Sequence, residues 1–339
     1  MPELLRDSTI FDDLDKQIVH GLVVDARIPF AKLGAILGVS EQTVARRYRS
    51  MRERGIIHVS GQVNVVPLGH ARWILRIRST PSGALRLGEA LARQPELSWV
   101  SLLSTGSEVM CVSRARTAQR RDALLLQLIP RAPQVTELIA HEVMHAFPQD
   151  EEWPRYSCLF TAEQLSELGS RRPIQDAAVG EVPVALTPED EAMLAILARD
   201  GRAPYAQLAA ATGWSAPRVA RRMVELVESD VLYFDLDFAL ERMGYAVRAA
   251  IWLRVRPADL AATGAAIAMF PEVTYVAATT GPTTLTAALV CRDTPHLYRF
   301  VTERLGGLPG IVDMEVTPAL RTFKQAQALM DTDRISLLR

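Results

Sequence analysis

The feature that most constrains this chain is that it repeats itself: a shift of 175 residues lays positions 15–59 over 190–234 without a gap. Fifteen of those 45 positions are identical, among them Asp15, Leu22, Asp25, Arg27, Pro29, Leu33, Gly38, Ser40, Val44, Arg46 and Arg47. Unrelated segments of that length would share only about 3. Gly69 and Gly244 keep the same offset, and with small gaps the match recovers Pro95-Glu96 against Pro271-Glu272 and Thr105-Gly106 against Thr280-Gly281. The chain is therefore one unit of roughly 135 residues used twice, and its fold must be a pair of similar folds. A stretch at 149–185 separates the copies. It reads as a linker with a short helix near 162–168, and Trp153 within it is a residue suited to docking on a neighbouring domain.

Within copy one, Leu14, Ile18 and Leu22 recur at helical spacing behind Asp12, Asp13 and Asp15, acidic residues that favour a helix N-terminus. Phe30, Leu33 and Leu37 mark a second helix, stopped by Gly38. Ser40 then caps a third, along which Val44, Tyr48 and Met51 line one face. A ribbon or wing follows at Ile56, Ile57, Val59, Val63 and Val65.

Two helices joined by a Gly-x-Ser turn, with a cationic outer face on the second, are what entry into a DNA major groove requires. Ser40, Gln42 and Thr43 sit where base edges would be met, and Arg46, Arg47, Arg49 and Arg52 where phosphate or guanine would be. Arg47 flanks the apolar stripe, so pairing with Asp15 inside the domain competes with DNA contact. The whole chain has 38 Lys and Arg against 39 Asp and Glu, so any attraction to nucleic acid must come from such a local patch. Copy two keeps the skeleton, with Ser215, Arg218, Arg221 and Arg222 as its candidate DNA contacts, but puts Val224 and Val227 where copy one has Arg49 and Arg52. It is expected to grip DNA more weakly or to read a different half-site.

The second part of each copy reads as β-α-β-β-α-β. Copy one shows strands at 73–78, 99–103, 109–112 and 135–147 with helices at 85–93 and 118–129. Copy two shows strands at 251–255, 274–278, 285–290 and 311–316 with helices at 260–269 and 294–304. The expected class is α+β: two winged helix-turn-helix domains (1–60 and 186–235), two ferredoxin-like domains (61–148 and 236–325) and a C-terminal tail (326–339).

Asp15, Asp25-Ala26-Arg27, Leu33, Gly38-Val39-Ser40, Val44 with Arg46-Arg47, Gly55-Ile56-Ile57, Gly69 and Thr105-Gly106, with their counterparts in copy two, make each copy resemble a complete Lrp/AsnC (feast/famine) transcription regulator. The resemblance implies double-stranded DNA as a partner and self-association through the ferredoxin-like domains. It also implies a small-molecule effector, an amino acid or another metabolite, near the loop after Thr-Gly. Those loops are Thr105, Gly106, Ser107 and Glu108 in copy one and Thr280, Gly281, Thr283 and Thr284 in copy two. An α-amino group would find one carboxylate in the first loop and none in the second.

Chemistry is the competing expectation. His141-Glu142-Val143-Met144-His145 has zinc-peptidase spacing, but copy two has Pro318 opposite Glu142, which points to a strand rather than the helix a zinc site needs. Sirohaem decarboxylases also resemble Lrp/AsnC proteins, yet 99–112 and 274–290 contain no histidine. An enzyme of that kind, or a metal-dependent one, that has lost DNA binding is the alternative, and no cofactor or metal is expected. Trp73, Trp99, Trp214 and Trp252 fall on apolar faces and are expected in cores or interfaces. Three widely spaced cysteines, a start unlike a signal peptide and no apolar run of membrane length favour a soluble, cytoplasmic protein without membrane contact.

Overall fold

The computed structural model of the chain describes residues 10–149, 154, 156–170, 183–331 and 333–336. Trp153 and linker residues 171–182 lie outside these.

Copy one begins with α1 (Asp13–Val24), α2 (Phe30–Leu37) and α3 (Glu41–Glu53), which form the first helix-turn-helix head. Local chemistry sets the boundaries: the Asp12 carboxylate accepts the Asp15 N–H, Gly38 takes φ 70 to end α2, and the Ser40 hydroxyl accepts the Thr43 N–H. Ile18, Leu22, Leu33 and Val44 are fully buried between the helices, each contributing roughly 2 kcal/mol. The chain continues through β1 (Ile57–Val63), β2 (Trp73–Ser79), α4 (Ala84–Ala92), β3 (Leu97–Leu103), β4 (Glu108–Ser113), α5 (Ala118–Asp122) and β5 (Val135–Ala146). In the linker, α6 (Ala162–Leu168) lies where the sequence placed a helix.

Copy two repeats the order: α7 (Pro188–Arg199), α8 (Tyr205–Thr212), α9 (Ala216–Glu228), β6 (Leu232–Phe238), β7 (Val247–Val255), α10 (Leu260–Ala268), β8 (Val273–Thr279), β9 (Leu285–Cys291), α11 (Thr294–Arg299) and β10 (Ile311–Lys324). In both copies the second helix of the ferredoxin-like domain, expected as one piece, widens after two turns at most into a π-helical stretch, Ala123–Leu128 and Phe300–Leu305.

The expected wing within each head is instead a ribbon shared between the copies. β1 pairs antiparallel with β6, from Ile57 opposite Phe238 to Val63 opposite Leu232. Each strand finds its partner in the other copy because a lone strand leaves its backbone groups unmet.

The ferredoxin-like domains show the strand order of the β-α-β-β-α-β unit, β3-β4-β2-β5 and β8-β9-β7-β10. Their edges join as well: β5 pairs with β8 (Val143 opposite Thr279), and β10 with β3 (Ala319 opposite Leu103). Eight strands thus close into a barrel, and pairing within one chain occupies the edges that would otherwise invite another sheet. Helices α4 and α10 cover the outside, over Leu75, Ile77, Cys111 and Phe323 in one half and Ile251, Leu253 and Val276 in the other. The inside holds Ile74, Ala250 and Trp252, with Arg76 stacked 4.6 Å over the Trp252 ring.

The C-terminal segment, expected as a tail, continues the sheet as β11 (Leu329–Asp331) and β12 (Arg334–Ser336). Its Ile335 N–H donates to the Gly55 carbonyl just after α3, so the chain end folds back on head one.

Candidate nucleic-acid interface

The two heads are fastened to each other by a reciprocal pair of arginines. Arg27 donates to the carbonyls of Gly201 (2.6 Å) and Ala203 (3.1 Å), and Arg202 donates to those of Ala26 (2.6 Å) and Ile28 (2.9 Å). Arg202 also stacks 4.3 Å over Phe30. The contact is tight: a side chain on Gly201 would strike Val59, and one on Gly61 would strike Leu197. Sequence reasoning gave Arg27 and Arg202 no role, although their identity across the repeat was the available signal.

On α3, Gln42, Arg46 and Arg49 are exposed, and among the described residues no carboxylate pairs with either arginine. Ser40 is engaged in capping, its hydroxyl 3.0 Å from that of Thr43. Arg52 and Arg222, expected as DNA contacts, turn back onto the molecule instead, and Arg47, for which pairing with Asp15 competed with DNA contact, is paired as well. Arg47 donates to Asp12 and, at 3.0 Å, to Asp15, and Arg52 reaches Asp200 of the other head at 2.8 Å. Arg222 grips Asp190 with two bonds of 2.9 and 2.8 Å. All three flank the apolar stripe, so their stems leave the helix toward the domain. Burial would raise the Asp190 carboxyl, but Arg222 and Thr187 hold it below the usual carboxylate range. On α9 the exposed cations are Arg218, stacked 4.5 Å over Trp214, and Arg221, loosely paired with Glu225 at 3.7 Å. Ser215 occupies the cap position of α9 without making a cap bond.

Profiles of two protein domains match this architecture. The AsnC-type helix-turn-helix domain matches twice, over 11–52 and 187–227, and the Lrp/AsnC ligand binding domain matches over 248–329. The chain belongs to the Lrp/AsnC family. Similar proteins include the HTH-type transcriptional regulator FL11 of Pyrococcus horikoshii, 26% identical over 147 residues, and the proline dehydrogenase transcriptional activator of Rhodobacter capsulatus, 26% identical over 142. These matches span 97% and 92% of the relatives but 43% and 40% of this Lrp/AsnC chain, as a single copy would. The crystal structure of the siroheme decarboxylase NirDL shares the fold over 93% of both chains, with TM-score 0.62 and 13% identity.

The Thr-Gly loops of this Lrp/AsnC chain take part in closing the barrel. Beyond Thr105 and Gly106, the Ser107 carbonyl accepts from the Ser79 N–H (2.7 Å). Glu108 is buried and doubly bonded to Arg76 (2.6 and 3.1 Å), which also holds Glu315 of copy two. In the second loop Thr280 exchanges backbone and hydroxyl bonds with Glu142, and Gly281 packs on the His141 ring. The Thr283 carbonyl accepts from Thr279, and Thr284 bonds to Leu253 and Val255. The one loop carboxylate is thus already neutralised by a guanidinium.

The His-Glu-x-x-His segment lies on strand β5. His141 is buried, its Nδ1 2.8 Å from the Thr280 carbonyl and its ring 5.3 Å from Trp252, while His145 packs edge-on to Phe147. Among the described residues no three His, Cys, Asp or Glu side chains gather as metal ligands, and no helix is long and apolar enough to cross a membrane.

Proposed function

We propose that this chain is a sequence-specific DNA-binding transcription regulator whose two heads engage DNA as one pre-assembled pair. The observation that carries this reading is the Arg27/Arg202 lock between two AsnC-type heads, which leaves Arg46 and Arg49 of α3 and Arg218 and Arg221 of α9 facing outward. Those arginines supply phosphate contacts, and Gln42 and Thr43 read base edges. Heads fixed in one chain suit half-sites about one helical turn apart, roughly 34 Å, or a multiple of it. A small effector held by the paired sensing domains would act by favouring one arrangement of the heads over another.

Fluorescence anisotropy with DNA from the protein's own upstream region, against scrambled DNA at several salt concentrations, tests this. Tighter binding to the native DNA, with log affinity falling as log salt rises, is the expected result. Equal binding to both removes the reading.

A second reading, an enzyme acting on a tetrapyrrole, is favoured by the whole-length likeness in fold to the siroheme decarboxylase. Its check is whether iron-uroporphyrin III added to the protein changes its absorbance spectrum and is turned over.

A further inference from the structure

We propose that the space between the mouth of the barrel and the β1–β6 ribbon is a binding site for a carboxylate attached to an apolar body. The cavity there measures about 360 Å³, toward the low end of the range typical of small-molecule sites, roughly 300–1,000 Å³. Most of its wall is apolar, from Ile74, Met110 and Val112 on the barrel side to Leu236 on the ribbon.

Its described lining carries three arginines and one carboxylate. Arg72 and Arg248, equivalent positions of the two copies under a shift of 176, line it together with Arg114, and Asp235 is the single acidic residue among the described lining. Arg248 is partly buried at the cavity wall. Its guanidinium donates to the Thr322 hydroxyl at 2.9 Å, and among the described residues no carboxylate pairs with it. Burial pulls it down to about 10 against the opposing fields of Glu241 and Asp237, neither of which reaches ion-pair distance. Arg114 shares one nitrogen between Gln62 and Tyr233, while its Nε is buried without a partner. Arg76, inside the same barrel, is saturated by two carboxylates. A buried guanidinium is ordinarily paired in that way, because an uncompensated charge taken out of water is costly. Arg248 and Arg114 have the geometry of cations waiting for an anion, and the cavity is where it would sit.

The wall itself is strained at this point. Trp99, which lines the cavity, is held at φ 55 within an irregularity of β3 between Ser98 and Ser101. Such a conformation persists only where its surroundings enforce it, and it clusters at ligand sites. None of the Thr-Gly loop residues lines this space. The cavity also touches Leu22 and Val23 of α1, so an occupant would contact head one and the barrel together.

This inference goes beyond DNA binding and is tested without DNA, by calorimetric titration of the full chain. The probes are octanoate and 3-phenylpropanoate, each with its uncharged amide, plus acetate as a charge without a body. At least one of the two carboxylates is expected to saturate a site, with its amide and acetate weaker by about tenfold or more. Arg248→Gln should weaken that carboxylate about tenfold while leaving the unfolding temperature equal or higher, and Arg114→Gln should weaken it as well. No saturable carboxylate binding, amides that bind equally well, or two arginine variants that bind like the parent would each overturn the site. Anisotropy on the same protein reports the DNA reading separately, so DNA binding without carboxylate binding removes the cavity site alone.

Discussion

Head one and head two stand on the same three-helix skeleton, yet their third helices meet solvent with different chemistry. On α3 the exposed Arg46 and Arg49 pair with no carboxylate among the described residues, and Ser40 closes the helix start with its own hydroxyl. On α9 Arg221 leans on Glu225, Ser215 makes no cap bond, and Val224 is half exposed. Head one is also strapped by the linker, where Tyr156 and Leu168 join its core and Gln164 donates to the Ile36 carbonyl at 2.8 Å. The comparison shows which parts of the duplicated unit stayed alike. The arginines that lock one head to the other, Arg27 and Arg202, are the same in both copies, whereas of the two outward arginines of α3 Arg46 has a counterpart in Arg221 and Arg49 is replaced by Val224.

Substitutions at equivalent positions sharpen or break this contrast. The largest difference is expected between Arg222→Met and Arg47→Met. The first strands a fully buried Asp190 carboxylate and should destabilise by about 3 kcal/mol. The second leaves the half-exposed Asp12 and the Asp15 carboxylate, which unlike Asp190 keeps 14% of its side-chain surface in solvent, without a partner, and should lose about 1 kcal/mol. Equal losses in denaturant titrations would erase the distinction.

Next comes the shared ribbon, where copy two has Asp237 at the position of Gln62 in copy one. Burial pushes the Asp237 carboxyl up to about 7, with Asp235 adding to the rise. Below the unfolded value of about 3.9 both states are protonated. As pH climbs from there through 7 the unfolded chain ionises first, so stability falls. Between pH 5 and 8 the parent should lose about 2–3 kcal/mol more than Asp237→Asn, and parallel pH profiles would contradict that assignment.

A smaller effect is expected on DNA. Arg46→Gln with Arg49→Gln should weaken binding at least about tenfold and reduce the salt slope by about two, one per phosphate contact. Arg218→Gln with Arg221→Gln should change both by less, and a reversed order would make head two the principal reader. Smallest is the cap: Ser40→Ala should lower stability by about 1 kcal/mol and Ser215→Ala by a few tenths, since only Ser40 accepts an N–H.

The local signals proved legible because their causes are local. Gly38 and Gly213 at positive φ end α2 and α8, Thr161 begins α6, and the position opposite Pro318 lies on a strand as expected. The outer face of α3 was readable from spacing alone. The inward turn of Arg52 was not, because its partner Asp200 lies 148 residues away in the other head. The cavity was equally invisible, since Arg114 and Arg248 are polar residues in unrelated stretches until the barrel brings them to one mouth.

By itself the sequence determined that the unit occurs twice, which helices form each head and the strand order of each sensing domain, because periodicity, caps and turns act over a few residues. Only the tertiary structure decided that β1 pairs with β6, that β5 and β10 cross to the other copy to close a barrel, and that Arg27 and Arg202 change places between heads. Those contacts satisfy open strand edges and buried guanidinium groups, and an edge takes whichever compatible partner the chain brings near. Hydrophobic periodicity, the same in both copies, carries no mark of which copy that partner belongs to.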